Sequence, residues 1–379
     1  MTSEIAHFLL FGYDLEEFPG RGYLEAIGSG VAISEDEVVL LCHLCAVEEK
    51  DGTLVLVNEF PIVSPSESSR LTKAISPYIT DDIHISFVPT RTGDGFLILS
   101  GAVSPAVTDS NPIHEDLPLI AVQPIEATPQ AHKTAKALNS YLRWAYHTLE
   151  SHPINRDRRA STLPPLNSLA TQRAGKKRDL MCFLEKWGLN GLSISSGPIY
   201  WGLCRELGMD VKVVEDSGDP ERDLLERLRV AHDAVEYDFV HVHTKVPDKA
   251  GHTKNPHHKK EMLEALDRAM DFAVQKIVPH ADILLVVTAD HSTASVGTMI
   301  HTGETVPVTM IGQYPRRDRV TAFNEIDCAQ GALGTIRGKE LMYLILNFLD
   351  RGKLKGLMDT PFDQPYTPGR YQPLIVNGD

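Results

Sequence analysis

From about residue 190 onward the chain alternates short β-branched runs with helical patterns, and this rhythm narrows the folds open to it. The runs 194–196, 210–214, 238–244, 282–288 and 306–311 read as strands. The segments 224–235, 259–274 and 338–349 read as helices, the second with Met262, Leu263, Leu266 and Met270 on one face. Strand–helix alternation predicts an α/β fold whose mostly parallel sheet carries helices on both faces.

The stretch 35–124 breaks that rhythm. Strand-like runs at 38–47, 53–57, 83–88 and 95–100 surround one helical segment at 66–75. It reads as a smaller α+β domain inserted into a larger one formed by 1–34 and 125–379. A long helix at 128–151 leads back, and 152–177, rich in Pro, Asn, Arg and Ser, reads as a loop. A length of 379 residues accommodates this two-part plan.

Charge and cysteine content exclude some functions. The formal net charge is -14, with no basic stripe, so neither nucleic acid nor an anionic membrane is expected as a partner. No apolar run nears the roughly 18 residues of a membrane span, and Met1–Ala6 lacks the features of a secretory signal. Five dispersed cysteines fit reduced thiols and a cytoplasmic setting. Cys42 and Cys45 form a CxxC without a second pair, and both lie in a strand-like run, so they read as strand packing. The sequence is compatible with a monomer and does not fix the oligomeric state.

Chemistry concentrates after two strands. Asp248-Lys249-Ala250-Gly251-His252 places an acid and an imidazole four residues apart, with Gly251 read as permitting a tight turn. The apolar run 282–288 ends in Ala289-Asp290-His291-Ser292, and His301 follows ten residues after His291. Acids and imidazoles at strand ends are costly to bury unless paired or coordinated, and ligand sites of open α/β sheets lie at those ends. Asp248, His252, Asp290, His291 and His301 therefore form candidate ligands for two divalent ions. Mixed His and carboxylate donors suit Mn or Zn first, with Co or Mg as alternatives. His241 alternates with Val240 and Val242 and reads as a core histidine, while His257 and His258 read as facing solvent.

The run 248–252, then Asp290-His291-Ser292-Thr293, then His301 resembles the metal signature of the alkaline phosphatase superfamily. Finer resemblance is to the archaeal-type 2,3-bisphosphoglycerate-independent phosphoglycerate mutases. Ser3-Glu4-Ile5-Ala6-His7 is similar to that family's nucleophile motif. Gly12-Tyr13-Asp14, Gly20-Arg21-Gly22-Tyr23-Leu24-Glu25-Ala26, His152-Pro153-Ile154-Asn155, Arg173-Ala174-Gly175 and Ile336-Arg337-Gly338 follow in the family's order. The resemblance implies an alkaline-phosphatase-like fold and an isomerase of glycolysis acting on a small phosphorylated substrate, 2- or 3-phosphoglycerate, through a phosphoserine. Ser3 would be the nucleophile. Asp248, His252 and His301 would bind one metal, and Asp290, His291 and Ser3 the other. Arg21, Arg173, Lys245 and Arg337 are candidates for gripping the substrate's anionic groups.

The chain also departs from the family. The family's nucleophile follows an apolar strand with an Asp-Gly metal ligand; here the sequence starts two residues before Ser3, so that strand is expected to be missing. Leu41 and His43 stand where the family carries Arg and Asn. Residues 34–124 hold four basic against fourteen acidic side chains, an unfavourable field for a phospho-acid. These departures keep two alternatives open: a phosphomonoesterase with a different substrate, and a non-catalytic metal-binding paralogue.

Overall fold

The computed structural model describes residues 1–357, 359–370 and 373–376. It divides into two compact units, one of Met1–Phe18 with Asp179–Asp379, the other of Pro19–Arg178. The chain opens with helix α1 (Ser3–Leu10) of the first unit and then builds the second.

The second unit starts with α2 (Arg21–Gly28), followed by strands β1 (Val38–Lys50) and β2 (Thr53–Asn58). Asp51 and Gly52 join these strands with φ of 51° and 75°, the left-handed pair a two-residue hairpin requires. Next come α3 (Pro65–Ala74), β3 (Tyr78–Thr80), β4 (Ile83–Arg91), β5 (Asp94–Ser100), α4 (Pro129–Glu150), α5 (Pro153–Ala160) and β6 (Ser168–Lys176). Ser64 and Glu67 form a capping box that starts α3, and Thr128 caps α4 through the Ala131 amide.

The strands run antiparallel in the order β2-β1-β5-β4-β3, with β6 also paired to β1. Leu40, Cys42 and Leu44 enter the core beside Leu138, Tyr141 and Leu149 of α4. On the opposite face Val39 packs with Ala26 and Phe96, and Cys45 and Val47 with Leu56 and Ala170. Burial on both faces explains why 38–47 is apolar at every position but His43, which is itself buried. Cys42 and Cys45 are free, buried thiols in separate clusters.

Two expectations change here. The segment 152–177 is not a loop: Asn155 Nδ2 donates to the Leu149 and Leu166 carbonyls beside α5, and β6 pairs with β1 from Val38 to Cys45. The pairing is long-range, and nothing local in the Pro- and Arg-rich segment announces it. The compact unit is also wider than 35–124, because α2, α4 and β6 pack around β1. Gly22 shows how closely: a Cβ there would collide with the Val39 and Arg173 carbonyls.

The first unit resumes with α6 (Phe183–Trp187), β7 (Gly191–Ser195), α7 (Pro198–Glu206), β8 (Asp210–Val213), α8 (Pro220–Asp233), β9 (Phe239–Val242), α9 (Val246–His252) and α10 (Pro256–Lys276). It ends with β10 (Leu285–Thr288), β11 (Val308–Ile311), α11 (Glu325–Cys328) and α12 (Leu341–Phe348). Strands β8-β7-β9 form a parallel sheet. Leu224 and Leu228 of α8 pack with Leu266, Ala269 and Ala273 of α10 and with Val242 of β9. The parallel sheet is narrower than expected: β10 and β11 pair with each other, antiparallel. The result is a mixed α/β protein with, among the described residues, one parallel and two antiparallel sheets. Among the described residues no helix is long and apolar enough to cross a membrane.

Candidate metal centre

Three elements of the first unit bring the acids and imidazoles together. α9 carries Asp248 and His252 at i and i+4, one turn apart on the same helix face. His252 Nε2 lies 3.2 Å from Asp248 Oδ1, and His301 Nε2 lies 3.4 Å from the same oxygen. Ligand atoms of these three residues all fall within 4.8 Å of one another. Gly251 is helical rather than part of a tight turn. Its lack of a Cβ lets α9 approach Thr293, whose Cγ2 would lie 2.8 Å from one.

A second group adjoins the first. The rings of His291 and His301 stack with centroids 3.8 Å apart. His291 Nε2 is 3.3 Å from Asp290 Oδ2 and 2.8 Å from Ser3 Oγ. Ser3 is the first residue of α1, preceded by the N-cap Thr2, where backbone N–H groups lack helical partners and favour an anion. Lys245 Nζ donates to Ser3 Oγ at 3.0 Å and lies 3.2 Å from Asp248 Oδ2. The serine hydroxyl therefore sits between an imidazole and an ammonium.

The residues present fit divalent cations. His301 Nδ1 lies 2.8 Å from the Met1 carbonyl; donating its proton there leaves Nε2 with a lone pair facing Asp248. Burial is the main influence on His291 and lowers its pKa, favouring the neutral, ligating form. Burial alone would raise the Asp248 pKa, but the Thr293 hydrogen bond and the positive charge of Lys245 outweigh it and hold the carboxylate ionised. Burial likewise opposes the Lys245 charge, and Tyr200 and Asp248 overcome it.

Comparison with known proteins gives the family. A family profile for 2,3-bisphosphoglycerate-independent phosphoglycerate mutase matches residues 1–155. The 2,3-bisphosphoglycerate-independent phosphoglycerate mutase 2 of Methanocaldococcus jannaschii is 38% identical over 370 residues, covering 94% of this chain and 83% of that one. The chain belongs to the 2,3-bisphosphoglycerate-independent phosphoglycerate mutase family. Solved relatives share its fold. A protein of Pyrococcus horikoshii superposes with a TM-score of 0.72 at 25% identity, covering 93% of this chain and 84% of that one. The cofactor-independent phosphoglycerate mutase of Thermoplasma acidophilum gives 0.60 at 26% identity, covering 92% and 87%.

Within this mutase family member, the five candidate ligands, Ser3 and Lys245 all meet in the first unit. Arg337 is exposed in that unit, beside Gly338, whose Cα faces Leu9 and Leu10 of α1. Arg21 and Arg173 belong to the second unit. Arg21 Nε pairs with Glu25 at 2.8 Å, and Arg173 adopts φ 58° with its amide donating to Asp109 Oδ1.

Sequence reasoning placed Thr293 in the signature without a role; its hydroxyl donates to Asp248 Oδ1 at 2.7 Å. It missed Tyr200, in the apolar helix α7. His7 Nδ1 donates to the Ser3 carbonyl at 2.8 Å and lies 3.6 Å from Asp290 Oδ2, so it braces the start of α1. His241 bonds Ser193 Oγ at 3.0 Å, a satisfied core histidine.

Proposed function

We propose that this protein interconverts 2- and 3-phosphoglycerate by transferring the phosphoryl group to Ser3 and back to the other hydroxyl of the bound glycerate. The observation that carries this reading is Ser3 Oγ, held at 2.8 Å from His291 Nε2 and 3.0 Å from Lys245 Nζ beside the Asp248, His252 and His301 group. Family membership supports the substrate, and the relatives' names state the reaction for those proteins.

In the first half-reaction a bond forms between Ser3 Oγ and phosphorus as the ester O–P bond of the substrate breaks. The proton lost by Ser3 is made up on the departing glycerate oxygen. The second half-reaction reverses these changes with the neighbouring hydroxyl. Lys245 places a fixed positive charge beside Ser3 Oγ and offsets charge on the phosphoryl oxygens. The first turn of α1 aims backbone N–H groups at the same anion. Two divalent ions, Mn or Zn, held by Asp248, His252 and His301 and by Asp290, His291 and Ser3, would stabilise the serine alkoxide and the transferring group. Arg21, Arg173 and Arg337 are assigned to the phosphate and carboxylate of the substrate, for which guanidinium geometry is suited.

The parallel β8-β7-β9 sheet, with Asp248 following β9, supports an alkaline-phosphatase-like arrangement of the first unit. The second unit, Pro19–Arg178, is assigned to substrate binding. Five free thiols support a cytosolic location.

The test uses purified protein with Mn, 3-phosphoglycerate and an enolase-coupled readout, with free phosphate followed in the same tubes. Isomer without phosphate is expected, and Ser3→Ala should lower turnover roughly 10⁴-fold or more, as loss of a nucleophile does elsewhere. Phosphate release without isomer would replace the mutase with a phosphomonoesterase. Unchanged turnover in Ser3→Ala would remove the serine from the mechanism.

A further inference from the structure

Tyr200 is 2% exposed and has a place in the site that neither its sequence context nor the family relationship assigns. Gly197, at φ 103°, turns the chain from β7 into α7, and this turn points Tyr200 toward α1. Its ring lies 4.0 Å from that of His243 and 5.1 Å from that of His7. Its hydroxyl lies 3.3 Å from Lys245 Nζ, whereas that nitrogen is 5.9 Å from the ring centroid. The contact is thus made through oxygen, not through the aromatic face.

An ammonium group has three N–H donors. Those of Lys245 have three acceptors: Ser3 Oγ at 3.0 Å, Asp248 Oδ2 at 3.2 Å and Tyr200 Oη at 3.3 Å. The three acceptors differ in pull. Asp248 is charged, and the Coulomb attraction alone would draw a flexible lysine toward it and away from the neutral serine. A neutral acceptor on a third side opposes that drift. Burial raises the Tyr200 pKa and keeps the phenol neutral.

We infer that Tyr200 is a positioning residue for phosphoryl transfer, its hydroxyl completing a tripod that holds the Lys245 ammonium on Ser3 Oγ. The inference rests on the reading of Ser3 as the nucleophile. It predicts that a single uncharged oxygen beside Lys245 governs the chemical step. Partners that orient a catalytic group in this way commonly matter by roughly 10- to 100-fold.

Tyr200→Phe tests this while keeping the ring against His243. The expected result is a kcat lower by roughly 10- to 100-fold, with KM for 3-phosphoglycerate, the Mn dissociation constant by calorimetry and the melting temperature of the metal-free protein all close to wild type. A crystal structure of the variant should show Lys245 Nζ displaced from Ser3 Oγ toward Asp248. An unchanged kcat, an unmoved Lys245, or a loss that tracks KM or melting temperature would overturn the proposal. Ser3→Ala measured alongside separates the two ideas. Turnover retained there refutes the serine reading. An inactive Ser3→Ala with a fully active Tyr200→Phe refutes the tripod alone.

Discussion

In the second unit β1 buries leucine, valine and cysteine on both faces, while in the first unit β7 buries Ser193 and Ser195, and α8 buries the side chain of Arg227. The first unit must pair those polar groups inside. Arg227 donates to the His243 carbonyl and to Asp216 Oδ1, each at 2.6 Å, and Lys249 reaches Asp216 Oδ2 at 2.8 Å. This network ties the ends of β8 and β9 to α9, the helix bearing Asp248. The second unit buries polar groups as well, Arg158 donating to Glu67 and to the Ile62 and Pro164 carbonyls; what differs is that in the first unit such a network braces α9, which carries two of the candidate cation ligands.

The sharpest break between the units should come from Asp248→Ala. It should lower kcat by on the order of 10³-fold, near the upper range for a lost electrostatic group, with little change in second-unit stability. Next in size, Asp216→Ala leaves Arg227 buried and unpaired and should cost about 3 kcal/mol by denaturant unfolding. Leu138→Ala in the core of the second unit should cost about as much, ~3 kcal/mol, yet leave Mn affinity intact. Mn at about 100 times its dissociation constant should then add ~2.7 kcal/mol. Hydrogen exchange should place that protection in the first unit.

The smallest effect is on pH dependence. Burial is the main cause that lowers His241 to about 3 and His43 of the second unit to about 4. Both pKa values lie below the unfolded value of about 6.5, so the unfolded chain binds more protons. Their stabilisation is complete above pH 6.5 and is lost as pH falls toward 4 and then 3. The first unit also buries His7 and His243, whose pKa values are likewise lowered. Acid titration followed by hydrogen exchange should therefore open the first unit before the second.

Strands rich in apolar residues, such as β1, were legible because their burial is written locally. β6 was not, since Leu169 and Ala170 find their clusters only through pairing with β1. β10 and β11 were both legible as strands, but their antiparallel pairing was not, because strand orientation depends on the intervening path. In the site, Asp248, His252, Asp290 and His291 stand out as acids and imidazoles that follow strands. Tyr200 does not, because only three-dimensional packing brings its oxygen to Lys245.

The account depends most on two cation positions sharing Ser3's neighbourhood, and metal stoichiometry tests this directly. Chelated, dialysed protein titrated with Mn should take up two equivalents per chain, and a His252→Ala/His301→Ala double variant should take up one. Uptake of no ion by the wild-type protein, or an unchanged count in the variant, would contradict it.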